Sequence, residues 1–166
     1  MSELKTIIIN VDDDPVNWER VEGILGNDYD VRSYASGQEA LAAIRELKDK
    51  IAGGCEVIVM TDFEMPLMNG LEFLKALFDE KYNLPTAFVT ATPVKNIKDM
   101  AAQMEVDVRY CAFQNKPFSK DGLKGAVKLA VTLHNLSKKE QSGPRTMQEF
   151  VARKPQAQST PGNLGL

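Results

Sequence analysis

Five times along the first 136 residues, a short run of strand-forming residues gives way to a longer stretch whose apolar residues recur at helical spacing. The runs are KTIIINV (5–11), YDVRSYA (29–35), EVIVMT (56–61), TAFVT (86–90) and VRYCAF (108–113). KTIIINV and EVIVMT are nearly uninterrupted in their apolar character. That is what a strand needs when both faces of its sheet are covered, as in parallel sheets. The helical stretches carry start signals of their own. Asp14 and Pro15 supply an N-cap and a first helical position ahead of Val16, Val21, Ile24 and Leu25. Ser36 to Glu39 forms a capping box that predicts a helix running to about Lys50, with Gly53-Gly54 as its stop. Asn69 to Glu72 repeats the device before LEFLKALFDE, Thr92-Pro93 opens VKNIKDMAAQM, and Ser119 caps KDGLKGAVKLAVTLHNL. Five strand and helix pairs with short connections require right-handed crossovers. They predict an α/β fold, a doubly wound (βα)5 domain on a five-stranded parallel sheet.

Composition sets the limits of that domain. With 166 residues and 43% hydrophobic content, the chain has material for one core and a modest appendage. Charge divides at the same place. Residues 1–136 hold 15 Lys and Arg against 21 Asp and Glu, a net of −6, while residues 137–166 hold 5 against 2, a net of +3. An acidic domain argues against direct nucleic-acid binding. Residues 137–166, rich in Ser, Gln, Pro and Gly, are expected to form a basic flexible tail, with a short helix near 146–153 where Met147, Phe150 and Val151 share a face. No apolar run is long enough for membrane insertion, and the N-terminus lacks a secretory pattern, so a cytoplasmic location is expected. Cys55 and Cys111 form no CxxC pair, and His134 has no triad partner near it in sequence; all three read as structural.

In a doubly wound sheet, functional groups gather at the carboxyl ends of the strands. Here those ends carry Asp12-Asp13-Asp14 after the first strand, Asp62 after the third, Thr90-Ala91 at the fourth and Lys116-Pro117 after the fifth. Packed carboxylates repel one another unless a cation neutralises them, and several oxygen ligands suit a hard divalent ion such as Mg²⁺. Asp14, before Pro15, is more simply an N-cap than a ligand.

This constellation resembles the receiver domain of two-component response regulators. The matching stretches are IIINVDDDP, VMTDFEMPLMNG, AFVTATP and FQNKPF, in order, and the resemblance covers about residues 5–136. It implies a flavodoxin-like, CheY-like sheet of strand order 2-1-3-4-5. It makes Asp62 the acceptor of a phosphoryl group and Asp12, Asp13, Asp62 and the backbone carbonyl of Glu64 the ligands of Mg²⁺ or Mn²⁺. Thr90 and Lys116 would contact phosphoryl oxygens, and the Lys116–Pro117 bond would be cis. Thr90 and Phe113 would form the switch, with inward-facing Phe113 favoured because it lacks a polar tip. Glu64 and Thr92 would tune the lifetime of the phosphoryl group.

The partners implied are a sensor histidine kinase or histidine phosphotransfer protein, and a downstream protein on the face made by VKNIKDMAAQM, VRYCAF and the last helix. With no output segment recognised after residue 136, a stand-alone receiver is expected, with self-phosphorylation and autodephosphorylation as its only chemistry. Other readings stay open: a phosphorelay intermediate, a phosphorylation-independent adaptor of receiver fold, and a small Mg²⁺-dependent aspartyl phosphohydrolase. Two stretches, KDKIAGGCE and QMEVDVRYCAFQNKPF, are longer than the family pattern, and the second lacks its Gly-Ala turn.

Overall fold

The computed structural model describes residues 4–141, in a chain that falls into two units, Met1–His134 and Asn135–Leu166. The first unit holds β1 (Ile7–Val11), α1 (Pro15–Leu25), β2 (Asp30–Tyr34), α2 (Gly37–Glu46), α3 (Lys48–Ala52), β3 (Val57–Thr61), α4 (Gly70–Asp79), β4 (Thr86–Thr90), α5 (Val94–Met104) and β5 (Ala112–Asn115). α6 (Lys120–Gln141) begins in it, and Asn135–Gln141 are the described part of the second unit. The expected helix near 146–153 lies outside the described residues. All strands are parallel, in the order β2-β1-β3-β4-β5.

The strands obey the period of two that a twice-covered sheet demands. From β1 and β3, Ile8, Ile58 and Met60 pack with Val21 and Leu25 of α1 and Leu123 and Val127 of α6. The alternate residues Ile7, Ile9, Val11, Val57 and Val59 pack with Ile44 of α2 and with Phe73 and Leu77 of α4. A third cluster joins α4 and α5 through Leu71, Leu74, Phe88, Ile97 and Ala101. Helices start where their caps say. Asp14 accepts from Val16 N–H, Ser36 from Glu39 N–H, and Asn69 and Glu72 close a reciprocal capping box. α5 starts after Pro93 without a side-chain cap, and Ser119 Oγ accepts from Gly122 N–H at 2.9 Å at the start of α6.

Three boundaries differ from the sequence expectation. The helix predicted through Lys50 breaks at Leu47, whose backbone turns to φ −91°, ψ 5° while its N–H tightens onto Ile44 O at 2.9 Å. The extra length of KDKIAGGCE goes into α3, and no glycine or proline marks the break. VRYCAF is not the fifth strand. Asp107 Oδ1 accepts from Arg109 N–H at 3.0 Å and Val108 O from Cys111 N–H at 3.1 Å, a turn that buries Val108 and Cys111. Pairing with β4 begins only at Ala112 opposite Ala87 and runs on to Asn115 opposite Thr90. The last helix also continues past residue 136, to Gln141.

Burial of Cys111, with a smaller contribution from nearby Asp107, pushes its thiol from the ordinary 9.0 up to about 12. The unfolded chain therefore releases this proton at lower pH than the folded chain, so stability falls as pH rises from 9 toward about 12. Urea unfolding at pH 8 and pH 11 (~3 pH units apart, spanning this window) should show a smaller alkaline loss in Cys111→Val than in wild type. Equal losses would mean the thiol carries none of it.

Candidate functional site

Three side chains meet at the carboxyl edge of the sheet because the strand ladders continue one residue beyond the strands. Asp12 N–H donates to Tyr34 O (3.0 Å), Asp62 N–H to Val11 O (2.9 Å) and Lys116 N–H to Thr90 O (3.0 Å). Each functional residue is thus pinned by its backbone to the last residue of a neighbouring strand. β1, β3 and β5 can then aim charged groups at one point without loop freedom.

Lys116 Nζ is hydrogen-bonded to Asp12 Oδ2 at 2.7 Å and to Asp62 Oδ2 at 2.8 Å. Burial alone would pull the ammonium's pKa down. The bonds to Asp12 and Asp62 more than offset that, and it stands above the ordinary lysine value. Asp12 is only 4% exposed, Asp62 is half-buried and Asp13 is exposed. One carboxylate oxygen from each lies within 4.8 Å of the others. One lysine balances only part of three negative charges, and an all-oxygen donor set of this kind fits a hard divalent cation.

The remaining acceptors of Asp62 and Asp12 are also engaged. Asp62 Oδ1 accepts from Phe63 N–H at 2.6 Å, and Asp12 Oδ1 from Asp14 N–H at 2.9 Å. Thr90 is buried at the end of β4, where its hydroxyl accepts from the N–H of buried Thr92 at 3.1 Å. Glu64 is exposed two residues past Asp62. Half-buried Phe113 stacks on Phe88, with centroids 5.4 Å apart and planes 12° from parallel. The Lys116–Pro117 peptide is cis. Phe118, next in sequence, is buried in the core, with the Arg20 guanidinium 4.7 Å above its ring.

Three further residues shape the site. Asn17 Nδ2 donates to Asp12 Oδ2 at 3.1 Å, and Trp18 Nε1 to Asp12 O at 2.7 Å. In sequence both read as ordinary positions of an amphipathic helix. The available signal was their place at the start of α1, a few residues after the acids. Gly70 packs so tightly that a Cβ there would stand 2.5 Å from Asp62 O and 2.9 Å from Phe88 Cε1.

Removing the shared cation should be costly. Without Mg²⁺, Lys116→Met leaves two largely buried carboxylates facing each other, and a loss of about 3 kcal/mol is expected. Saturating Mg²⁺ should recover part of it, because an ion that binds only the folded chain stabilises that state. Urea unfolding with chelator and with Mg²⁺ checks this. Equal stability of mutant and wild type under chelation would show that Lys116 is not what neutralises the site.

The chain matches the response regulator receiver domain over residues 8–128, and it belongs to that family. No curated protein matches the chain. Among solved structures it is similar to one from Rhodopirellula baltica described as an adenylate cyclase, at 25% identity and a TM-score of 0.62, over 91% of this chain and 99% of that one. It is similar to the chemotaxis protein CheY4 of Vibrio cholerae at 24% identity and a TM-score of 0.61, over 75% and 97% of the two chains. A receiver domain protein from Clostridium thermocellum is 19% identical with a TM-score of 0.61, over 79% and 98%. The last two likenesses establish the fold alone: the receiver fold, with its five-stranded parallel sheet in the order 2-1-3-4-5. No described helix is long and apolar enough to cross a membrane.

Proposed function

We propose that this chain is a phosphorylation-controlled signalling receiver in the cytoplasm, accepting a phosphoryl group on Asp62. The donor would be a phosphohistidine of a sensor histidine kinase or of a histidine phosphotransfer protein. The observation that carries the reading is the Lys116 ammonium held between Asp12 and Asp62 at the strand ends. Phosphoryl transfer needs charge neutralisation and in-line positioning more than a proton relay.

Asp12, Asp13, Asp62 and the carbonyl of Glu64 would hold Mg²⁺ or Mn²⁺. When bound, that ion neutralises charge developing on the transferred group. In the transfer, the Asp62 oxygen facing Lys116 forms the new O–P bond as the P–N bond to the donor imidazole breaks, and the imidazole nitrogen keeps that electron pair. Asp62 Oδ1, tied to Phe63 N–H, fixes the plane of the carboxylate during the attack. Lys116 then turns from Asp12 and Asp62 to a phosphoryl oxygen. Thr90, whose hydroxyl already accepts from Thr92 N–H, donates a hydrogen bond to another.

Movement of Thr90 would bias the packing of Phe113 against Phe88, and with it the outer surface of α5, β5 and the first-unit part of α6, where a downstream protein would bind. Glu64 and Thr92 would flank the approach of a hydrolytic water and set the lifetime of the phosphoryl group.

Intact-protein mass spectrometry after incubation with acetyl phosphate tests the reading. Here a P–O bond breaks and acetate leaves with the electron pair. One phosphoryl adduct that forms with Mg²⁺ and not with chelator is expected. Absence of an adduct under both conditions would overturn the phosphoacceptor reading and favour a phosphorylation-independent adaptor. Steady turnover of simple phosphate esters would favour a phosphohydrolase.

A further inference from the structure

We propose that Asn17 is a positioning residue of the acid site, holding the Asp12 carboxylate in place when Lys116 leaves it for the phosphoryl group. The inference deepens the phosphoacceptor reading and rests on it for the departure of Lys116.

Asp12 is gripped along its whole length. Trp18 Nε1 holds its carbonyl at 2.7 Å and Asp14 N–H holds Oδ1 at 2.9 Å. Oδ2 accepts from Lys116 Nζ at 2.7 Å and from Asn17 Nδ2 at 3.1 Å. Of the carboxylate's donors among the described residues, only Lys116 is charged and only Lys116 is shared with Asp62. Two of the ammonium's three N–H donors are given to the acids at 2.7–2.8 Å, so turning to a new dianionic group loosens its hold on them. Once it moves, Oδ2 of a residue only 4% exposed has lost its ammonium partner, and among the described residues Asn17 is the hydrogen-bond donor that remains on that atom. A buried acceptor stripped of its donors is costly, and a carboxylate held only through Oδ1 is free to rotate away from Asp13 and Asp62.

The two α1 residues therefore divide the work: Trp18 fixes the backbone of Asp12 and Asn17 fixes its charge. Both lie in the first turns of α1, whose start is set by the Asp14 cap and Pro15. The helix thus supplies two donors to Asp12, while Lys116, just after β5, is the movable one.

Asn17 and Lys116 share one oxygen, so their effects must be coupled. Calorimetric titration with Mg²⁺ reads this in wild type, Asn17→Ala, Lys116→Ala and the double variant. Asn17→Ala is expected to weaken Mg²⁺ binding by no more than about twofold while Lys116 still holds Asp12. In the Lys116→Ala background the same change should weaken it about tenfold, the scale of a hydrogen bond to a charged group. Asn17→Leu, similar in size but without an N–H, should reproduce both factors and excludes a simple packing effect.

Equal factors in the two backgrounds, or none in either, would overturn the proposal. Acetyl phosphate labelling of the wild type separates the two claims. An adduct together with an additive cycle removes only the role of Asn17. No adduct together with a coupled cycle removes the phosphoacceptor reading and leaves Asn17 as a positioning residue of a metal site.

Discussion

Asp62→Asn should fold as the wild type does and take up no phosphoryl group. The amide keeps the shape of the carboxylate and an oxygen for Phe63 N–H, while Lys116 keeps its 2.7 Å bond to Asp12. One Lys116 ion pair is lost, but so is one of three crowded negative charges. Stability should therefore stay within about 1 kcal/mol of wild type. The nucleophile, however, is gone. A carboxamide oxygen carries no negative charge with which to form the O–P bond, and the labelling rate should drop on the order of 10⁴-fold or more. Mass spectrometry after acetyl phosphate treatment, paired with a thermal melt, reads both halves. Undiminished labelling in a folded mutant would place the phosphoryl group elsewhere.

Gly70→Ala should damage both the fold and the site. The added methyl would meet Asp62 O at 2.5 Å, Phe88 Cε1 at 2.9 Å and Phe63 Cα at 3.1 Å. Two of the three atoms are backbone and cannot rotate aside. The third belongs to a fully buried ring that also stacks on Phe113. Relief requires either the start of α4 to withdraw, straining the 2.8 Å bond from Gly70 N–H to Phe63 O, or the Asp62–Phe63 backbone to be pushed aside. Overpacking of this kind costs about 1–3 kcal/mol. A displacement of Asp62 by roughly 1 Å would slow phosphoryl uptake about 10²-fold.

Gly125→Ala serves as the control. Gly125 is exposed on α6 and nothing lies within 4 Å of its Cβ position, so this change should stabilise the chain by up to about 1 kcal/mol. Urea unfolding and the labelling rate measure both variants. If Gly70→Ala were as stable and as reactive as wild type, the close approach of α4 to Asp62 would have no role in holding the site.

What could be read from the residues follows from how strictly a twice-covered parallel sheet constrains its strands. Nearly uninterrupted apolar runs such as IIINV and VIVMT have few alternatives, and caps such as Ser36, Asn69 and Asp14 mark helix starts with a specific hydrogen bond. The acids and Lys116 were legible because each directly follows a strand. A period of two cannot distinguish strand from tight turn when apolar residues are buried in both. That is why Val108 and Cys111 suggested a strand that in fact begins at Ala112. The break at Leu47 left no trace because it uses backbone geometry open to any residue.

Asn17 and Trp18 were missed, and the packing role of Gly70 within VMTDFEMPLMNG was not seen, for a related reason. Their roles depend on distances across elements, to the carbonyl and carboxylate of Asp12 and to Asp62 O, and such distances exist only once the sheet has aligned its edges.

The central claim is that Asp62 is the atom donor in a new O–P bond, and an acyl phosphate can be trapped where it forms. Labelling with acetyl phosphate and Mg²⁺, reduction with borohydride and peptide mass spectrometry would convert a phosphorylated aspartate to homoserine and locate it. Homoserine at position 62, and at none of Asp12, Asp13 or Asp14, is the result expected. Homoserine at one of those three acids, or none anywhere after confirmed uptake of label, would contradict the account.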